Sequence, residues 1–122
     1  MHKIFLAEDD STLKTLLKTL LELEGFEVVA VAVSTREDVF DQIIHFQPEI
    51  ILLDVNLRQT NGIEILNLVR SDPRISSSRV LMTSGEECSD ICRQNGADGF
   101  LLKPYMPDQL LGWIRTHLSD HN

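Results

Sequence analysis

The feature that most restricts this chain is an alternation: five short apolar runs, each followed by an amphipathic stretch, between Lys3 and Leu118. Lys3–Ala7 (KIFLA) is apolar at four of its five positions, as a strand covered on both faces must be. Ser11–Glu24 carries Leu13, Leu16, Leu17, Leu20 and Leu21 at helical spacing, with Gly25 as its stop. Glu27–Val33 (EVVAVAV) is rich in β-branched residues and predicts a second strand. Ser34 and Glu37 match a capping box that opens a helix with Val39, Phe40, Ile43 and Ile44 inward and Pro48 as its breaker. Glu49–Leu53 (EIILL) is the most apolar run and therefore the expected centre of a parallel sheet. After an Asn61-Gly62 turn, Ile63–Arg70 reads as a third helix, stopped by Asp72-Pro73. Arg79–Thr83 (RVLMT) is the fourth strand. Glu86–Asn95 is a weaker helix, with Ile91 its one large aliphatic residue, and Gly96 ends it. Gly99–Leu102 (GFLL) is the fifth strand, and Asp108–Leu118 the last helix, with Leu110, Leu111, Ile114 and Leu118 inward.

Strand and helix alternating five times predict an α/β fold, a parallel sheet between two helical layers joined by right-handed crossovers. The 122 residues fit one domain spanning 1–122, with no room for a second functional domain. A formal charge of −8 argues against direct binding of nucleic-acid phosphates. No stretch approaches the roughly 20 apolar residues of a membrane span, and Ile4–Ala7 is too short for a signal h-region, so the expected setting is cytoplasmic. Cys88 and Cys92 read as small apolar residues on the inward face with Ile91. No third soft ligand lies nearby, and a disulfide four apart within a helix is sterically poor. The final SDHN reads as a frayed tail.

Ligands of open α/β sheets bind beyond the carboxyl ends of the strands. Those ends carry Glu8, Asp9 and Asp10 after the first strand, Asp54 after the third, Thr83-Ser84 after the fourth and Lys103-Pro104 after the fifth. Crowded carboxylates repel one another, and a hard divalent cation relieves that repulsion. Mg²⁺ takes oxygen ligands, keeps several waters and suits phosphate oxygens. Asp54 would then offer an oxygen to phosphorus, Lys103 would counter phosphoryl charge and Thr83 would donate a hydroxyl hydrogen bond. Each signal alone is weak. An acidic run is usually a solvated loop, a strand-end Asp is often a helix cap, and Thr83 could do no more than cap the next turn. Asp10 reads better as an N-cap than as a ligand, and Phe100 reads as core as readily as a moving part. Tyr105, Met106 and Trp113 suit packing as well as a partner surface. His2, His45, His117 and His121 carry no assigned role, and Arg36, Arg93 and Arg115 read as solvated.

Four segments in one order carry a likeness: AEDDSTL (7–13), ILLDVNLRQTNG (51–62), VLMTSGE (80–86) and GADGFLLKPY (96–105). Along nearly its whole length the chain resembles the receiver domains of two-component response regulators. The resemblance implies a flavodoxin-like (βα)5 three-layer sandwich with strand order 2-1-3-4-5, the order of a chemotaxis member of that family. It implies Asp54 as phosphoacceptor. Mg²⁺ would be held by Asp9 and Asp54, by Glu8 through water and by the backbone carbonyl of Asn56. Thr83 and Lys103 would contact the phosphoryl group, Phe100 would be the aromatic switch, and the Lys103-Pro104 bond would be cis. The implied donor is a histidine kinase or histidine phosphotransfer protein. The implied reader is a protein target at the face of the fourth helix, fifth strand and fifth helix, and a phosphorylation-dependent homodimer is a further implied partner. Such a chain is no enzyme beyond its own phosphorylation and dephosphorylation, and it stands alone or forms part of a longer regulator. Arg58 departs from a frequent Pro, Ser84 from a frequent Ala, and Phe100 lacks the hydroxyl of the alternative Tyr; Gly85 brings no side chain against hydrolytic water. A degenerate receiver acting only as a binding module is countered by the intact set Glu8, Asp9, Asp54, Thr83 and Lys103. An Asp-nucleophile phosphatase of the haloacid-dehalogenase type needs an acid where Asn56 stands. A flavin phosphate would be repelled by Glu8, Asp9 and Asp10.

Overall fold

The computed structural model describes residues 1–31 and 34–118. Its elements are β1 (Lys3–Ala7), α1 (Ser11–Leu23), β2 (Glu27–Val31), α2 (Arg36–Phe46), β3 (Ile50–Asp54), α3 (Gly62–Ser71), β4 (Arg79–Ser84), α4 (Ser89–Gln94), β5 (Gly99–Leu102) and α5 (Pro107–His117). The five strands form one sheet in the order β2-β1-β3-β4-β5, every pair parallel. This is the expected topology, with β3 buried at all five positions.

The twofold period of the strands sorts their side chains into two cores. Phe5, Ile51, Leu53, Val80 and Met82 pack with Val39 and Ile43 of α2, with Ile65, Leu66 and Val69 of α3, and with Cys92 of α4. Ile4, Leu6, Ile50, Leu52 and Leu81 pack with Leu17 and Leu21 of α1 and with Leu110 and Ile114 of α5. One face is thus covered by α1 and α5, the other by α2, α3 and α4. At the end of the sheet remote from the strand C-termini, Arg70 donates to the carbonyls of Ser78 and Gly96 and to Asp98 at 2.6–2.8 Å, tying α3 to β4 and β5.

Several local expectations are corrected. The cap of α2 is Thr35, whose hydroxyl accepts the Asp38 N–H at 3.0 Å, while the Ser34 hydroxyl donates to the Asp38 carboxylate. The box proposed for Ser34 and Glu37 is therefore one residue out. Helix α4 spans only Ser89–Gln94, because Ser84 takes the Glu86 N–H at 3.0 Å and turns the chain before the helix begins. Ile91 is not inward: it is half exposed, and Cys92 alone of that trio is fully buried. The two thiols are free, with sulfurs 4.0 Å apart. Leu16 is 62% exposed, since the leucine stripe of α1 is wider than the strip of sheet beneath it. Arg36 and Arg115 are exposed but paired, with Glu37 and Glu64 and with Glu24 respectively. His117 stacks on Trp113, ring centroids 3.9 Å apart. The second strand was expected to reach Val33; positions 32–33, like the 119–122 tail, lie outside the described residues.

Glycine is required where α3 starts. A Cβ on Gly62 would lie 2.2 Å from the carbonyl oxygen of Asp54, and that oxygen belongs to the central strand and cannot step aside. Gly62→Ala is expected to destabilise the fold by roughly 1–3 kcal/mol, the range for overpacking. The check is a urea melt: the midpoint should fall at unchanged slope, and a wild-type midpoint would contradict the packing.

Candidate functional site

The rows that build the α1–α5 core run on past it. Ile4 and Leu6 lead to Glu8, Ile50 and Leu52 to Asp54, Leu81 to Thr83, and Leu101 to Lys103, each two residues further along. Strand parity therefore sends four polar side chains to the same face at the same end of the sheet. Asp54 and Thr83 are direct register partners. Glu8, Asp54 and Thr83 are 3%, 5% and 2% exposed, which is rare for such groups unless they are paired.

The pairing centres on one ammonium. Lys103 Nζ donates to Glu8 Oε1 at 2.8 Å and to Asp54 Oδ2 at 2.7 Å. The other Asp54 oxygen, Oδ1, accepts the Asn56 N–H at 3.0 Å, and Glu8 Oε2 accepts the Asp10 N–H at 3.1 Å. Asp10 is the N-cap of α1, accepting the Leu13 N–H at 3.0 Å, as its sequence position suggested. The Asp9 carboxylate accepts the backbone N–H of Arg58. Glu8, Asp9, Asp54, Asn56 and Lys103 line one open cavity of about 580 Å³. The Lys103-Pro104 bond is cis.

Burial pushes the Glu8 carboxyl up, and the hydrogen bond from Lys103 only partly offsets this. Burial alone would lower the Lys103 ammonium; its hydrogen bonds to Asp54 and Glu8 outweigh that, and the net displacement is upward. Tyr105 is pushed up to about 12 by burial, so its hydroxyl stays protonated.

Two expected residues sit apart from the cavity. Thr83 lies beside Asp54 in the sheet without lining the opening, and Phe100 registers with Met82, half buried against the α2–α4 face. Two contributors were missed. Ser84, fully buried, accepts both the Asn56 side-chain amide at 3.1 Å and the Glu86 N–H at 3.0 Å. A hydroxyl where the family often has Ala was the available signal. The Arg58 N–H was legible only as the absence of proline.

The family model of the response regulator receiver domain matches residues 4–115. The chain belongs to that family. The receiver is 34% identical over 119 residues to the transcriptional regulatory protein CpxR of Escherichia coli K12, covering 97% of this chain and 50% of CpxR. It is 27% identical over 119 residues to the DNA-binding response regulator MtrA of Mycobacterium tuberculosis H37Rv, covering 96% of this chain and 50% of MtrA. The receiver thus spans about half the length of the curated relatives it matches. Among solved structures, the chemotaxis protein CheY4 of Vibrio cholerae superposes with a TM-score of 0.87 at 24% identity, covering 97% of this chain and 99% of that one, which speaks for the fold.

Receiver domains generally bind Mg²⁺ at their acidic corner, and the donors here suit that ion: carboxylate and carbonyl oxygens around an open cavity. Among the described residues no three acidic, histidine or cysteine side chains form a ready-made cage. Mg²⁺ does not need one, because it is commonly held by one or two carboxylates with water completing its shell. No helix among the described residues is long and apolar enough to cross a membrane.

The Glu8 shift has a sign that can be tested. Its pKa in the folded state lies above 4.5, so its contribution to stability is complete below pH 4.5 and is lost as pH rises through the raised value. Without Mg²⁺, Glu8→Gln should gain on wild type in urea stability from pH 4.5 towards neutrality. A difference independent of pH would mean that burial does not govern this carboxyl.

Proposed function

We propose that Asp54 accepts a phosphoryl group from the phosphohistidine of a histidine kinase or histidine phosphotransfer protein, and that a protein target reads the outcome at α4, β5 and α5. The observation that carries this reading is the hold on Asp54. One carboxylate oxygen is fixed by Lys103 at 2.7 Å and the other by the Asn56 N–H at 3.0 Å, at the floor of an open acidic cavity. A nucleophile so fixed needs little further ordering, and phosphoryl transfer depends mainly on positioning and charge.

Mg²⁺, when bound, neutralises phosphoryl charge; Asp9, Asp54 and the Asn56 carbonyl would hold it, with Glu8 acting through water. The Asp54 oxygen that Lys103 gives up forms the bond to phosphorus as the donor's P–N bond breaks, and the imidazole keeps the electron pair. Lys103 moves its hydrogen bond from Asp54 to a phosphoryl oxygen, and the Thr83 hydroxyl donates to another. Beside the cavity, and sharing Lys103 with it, lies an apolar groove of about 640 Å³ lined by Leu13, Leu16, Leu17, Leu20 and Tyr105. The exposed Leu16 belongs to this groove, which suits the landing of a donor protein next to Asp54.

Thr83 and Phe100 have opposite parity in the sheet, so coupling between them has to pass through the β4–α4 connection. Ser84 holds that connection to Asn56, two residues from Asp54. Movement of Thr83 towards a phosphoryl group would reset the connection and bias a pre-existing equilibrium of α4 and Phe100. The binding-module reading leaves the Lys103 clamp without purpose. For a phosphatase the missing acid is decisive, since the Asn56 side chain is engaged by Ser84. With relatives twice its length, the receiver would act alone or as the input half of a longer regulator.

Labelling with acetyl phosphate and Mg²⁺ tests the reading. Wild type should gain an acid-stable, hydroxylamine-sensitive label that is absent without Mg²⁺ and absent in Asp54→Ala, and Lys103→Ala should lose most of its response. Label retained at the wild-type level by Asp54→Ala would remove Asp54 from the mechanism.

A further inference from the structure

Resting on Asp54 as acceptor, we propose that Arg58 makes this site favour anionic small-molecule phosphodonors, acyl phosphates above all, over less charged ones. Arg58 lines the acidic cavity from the β3–α3 loop, where its backbone N–H is fixed to the Asp9 carboxylate. Its side chain is exposed. Arg36, Arg70, Arg74, Arg79 and Arg115 all lie within ion-pair distance of a carboxylate; among the described residues no such pair involves Arg58 or Arg93, and of these two only Arg58 lines the cavity. The lining charges of the cavity are then unusually easy to count. Glu8, Asp9, Asp10 and Asp54 bring four formal negative charges, and Lys103 and Arg58 two positive ones. A bound divalent cation brings that total to zero. Without Arg58 the loaded cavity keeps one negative charge.

The sign of that residual charge decides how an incoming dianion fares. Lys103 is already engaged by two carboxylates, so Arg58 is the cation at the rim left to meet a donor. A guanidinium presents a planar fork that matches the oxygens of a phosphoryl dianion, the group an acyl phosphate brings. The chemistry needs no co-reactant. An Asp54 oxygen bonds to phosphorus, the P–O bond to the acyl group breaks, and the electron pair leaves with the carboxylate. One unit charge a few ångströms away in a solvated setting changes the capture of a dianion by about three- to tenfold, and salt erodes the effect.

The experiment compares acetyl phosphate, a dianion at neutral pH, with phosphoramidate, a monoanion, as donors to the whole chain in Mg²⁺. Arg58→Ala should lower the second-order rate with acetyl phosphate about three- to tenfold, and with phosphoramidate by about the square root of that factor, roughly two- to threefold. Arg58→Lys should restore most of the loss, and 0.5 M KCl should bring wild type and Arg58→Ala together. Calorimetric titration with Mg²⁺ alone should show binding to Arg58→Ala as tight as to wild type or tighter, since a cation has been removed from beside a cation site. A loop merely damaged by the substitution would slow both donors alike and weaken Mg²⁺. Equal slowing, no rescue by lysine or weaker Mg²⁺ binding would each overturn the proposal. Failure of the underlying reading would look different: Asp54→Ala would still be labelled.

Discussion

A single ammonium group holds this structure's working end together. Lys103, just beyond β5, spans to Glu8, just beyond β1, and to Asp54, the last residue of β3. Three strand ends are therefore tied by two contacts of under 3 Å, between groups that would repel or be stranded without each other. Removing the ammonium would leave two buried carboxylates with no counter-charge, which costs several kcal/mol. The arrangement is nonetheless a poor device for stability, because two carboxylates compete for one cation and burial works against Glu8 remaining charged. A set of groups that is intact but under-neutralised is suited to accept a further cation and then a further anion.

The site is an extension of the core, made by the same periodicity. Along β1, β3, β4 and β5, the buried residues that face α1 and α5 are apolar, and the row turns polar at the carboxyl end of each strand. Nothing about the polar residues themselves brings them together. The parallel register aligns the strands, parity selects the face, and order 2-1-3-4-5 puts β1, β3 and β4 side by side with β5 one place further out. The length of the Lys103 side chain closes that last gap. A shorter cation there could not reach Glu8 across two strands.

How much of this was legible in the sequence follows from which interactions are periodic. All ten elements were readable because a buried parallel sheet and its helices impose runs and stripes that sequence displays directly. The order of the strands came from the family likeness, since periodicity alone does not rank neighbours. Glu8, Asp9, Asp54 and Lys103 were findable as charged residues at strand ends, while Asn56 came with the family likeness. Local misreadings arose where a stripe or cap was ambiguous by one residue: Thr35 displaced Ser34, and Leu16 and Ile91 were assigned to faces that the sheet does not fully cover. Ser84 and the Arg58 N–H escaped because their partners, Asn56 and Asp9, are 28 and 49 positions away in the chain. A hydrogen bond to a backbone group has no sequence signature beyond the absence of proline.

The same distinction separates what is fixed in this molecule from what can move. The sheet is secured by two cores and by Arg70 at its far end, so the strand termini cannot shift without cost. The β4–α4 connection is secured mainly by one hydroxyl, that of Ser84, and leads into a helix of six residues with no side-chain cap. Short helices contribute little stability of their own, and an uncapped start contributes less. A change of charge at Asp54 would therefore meet a rigid floor and a compliant wall, and the displacement would go into the wall. That wall carries Cys88, packed on the same core as Phe100, so on the proposed reading a local electrostatic event beside β3 would become a change of surface at α4 and β5.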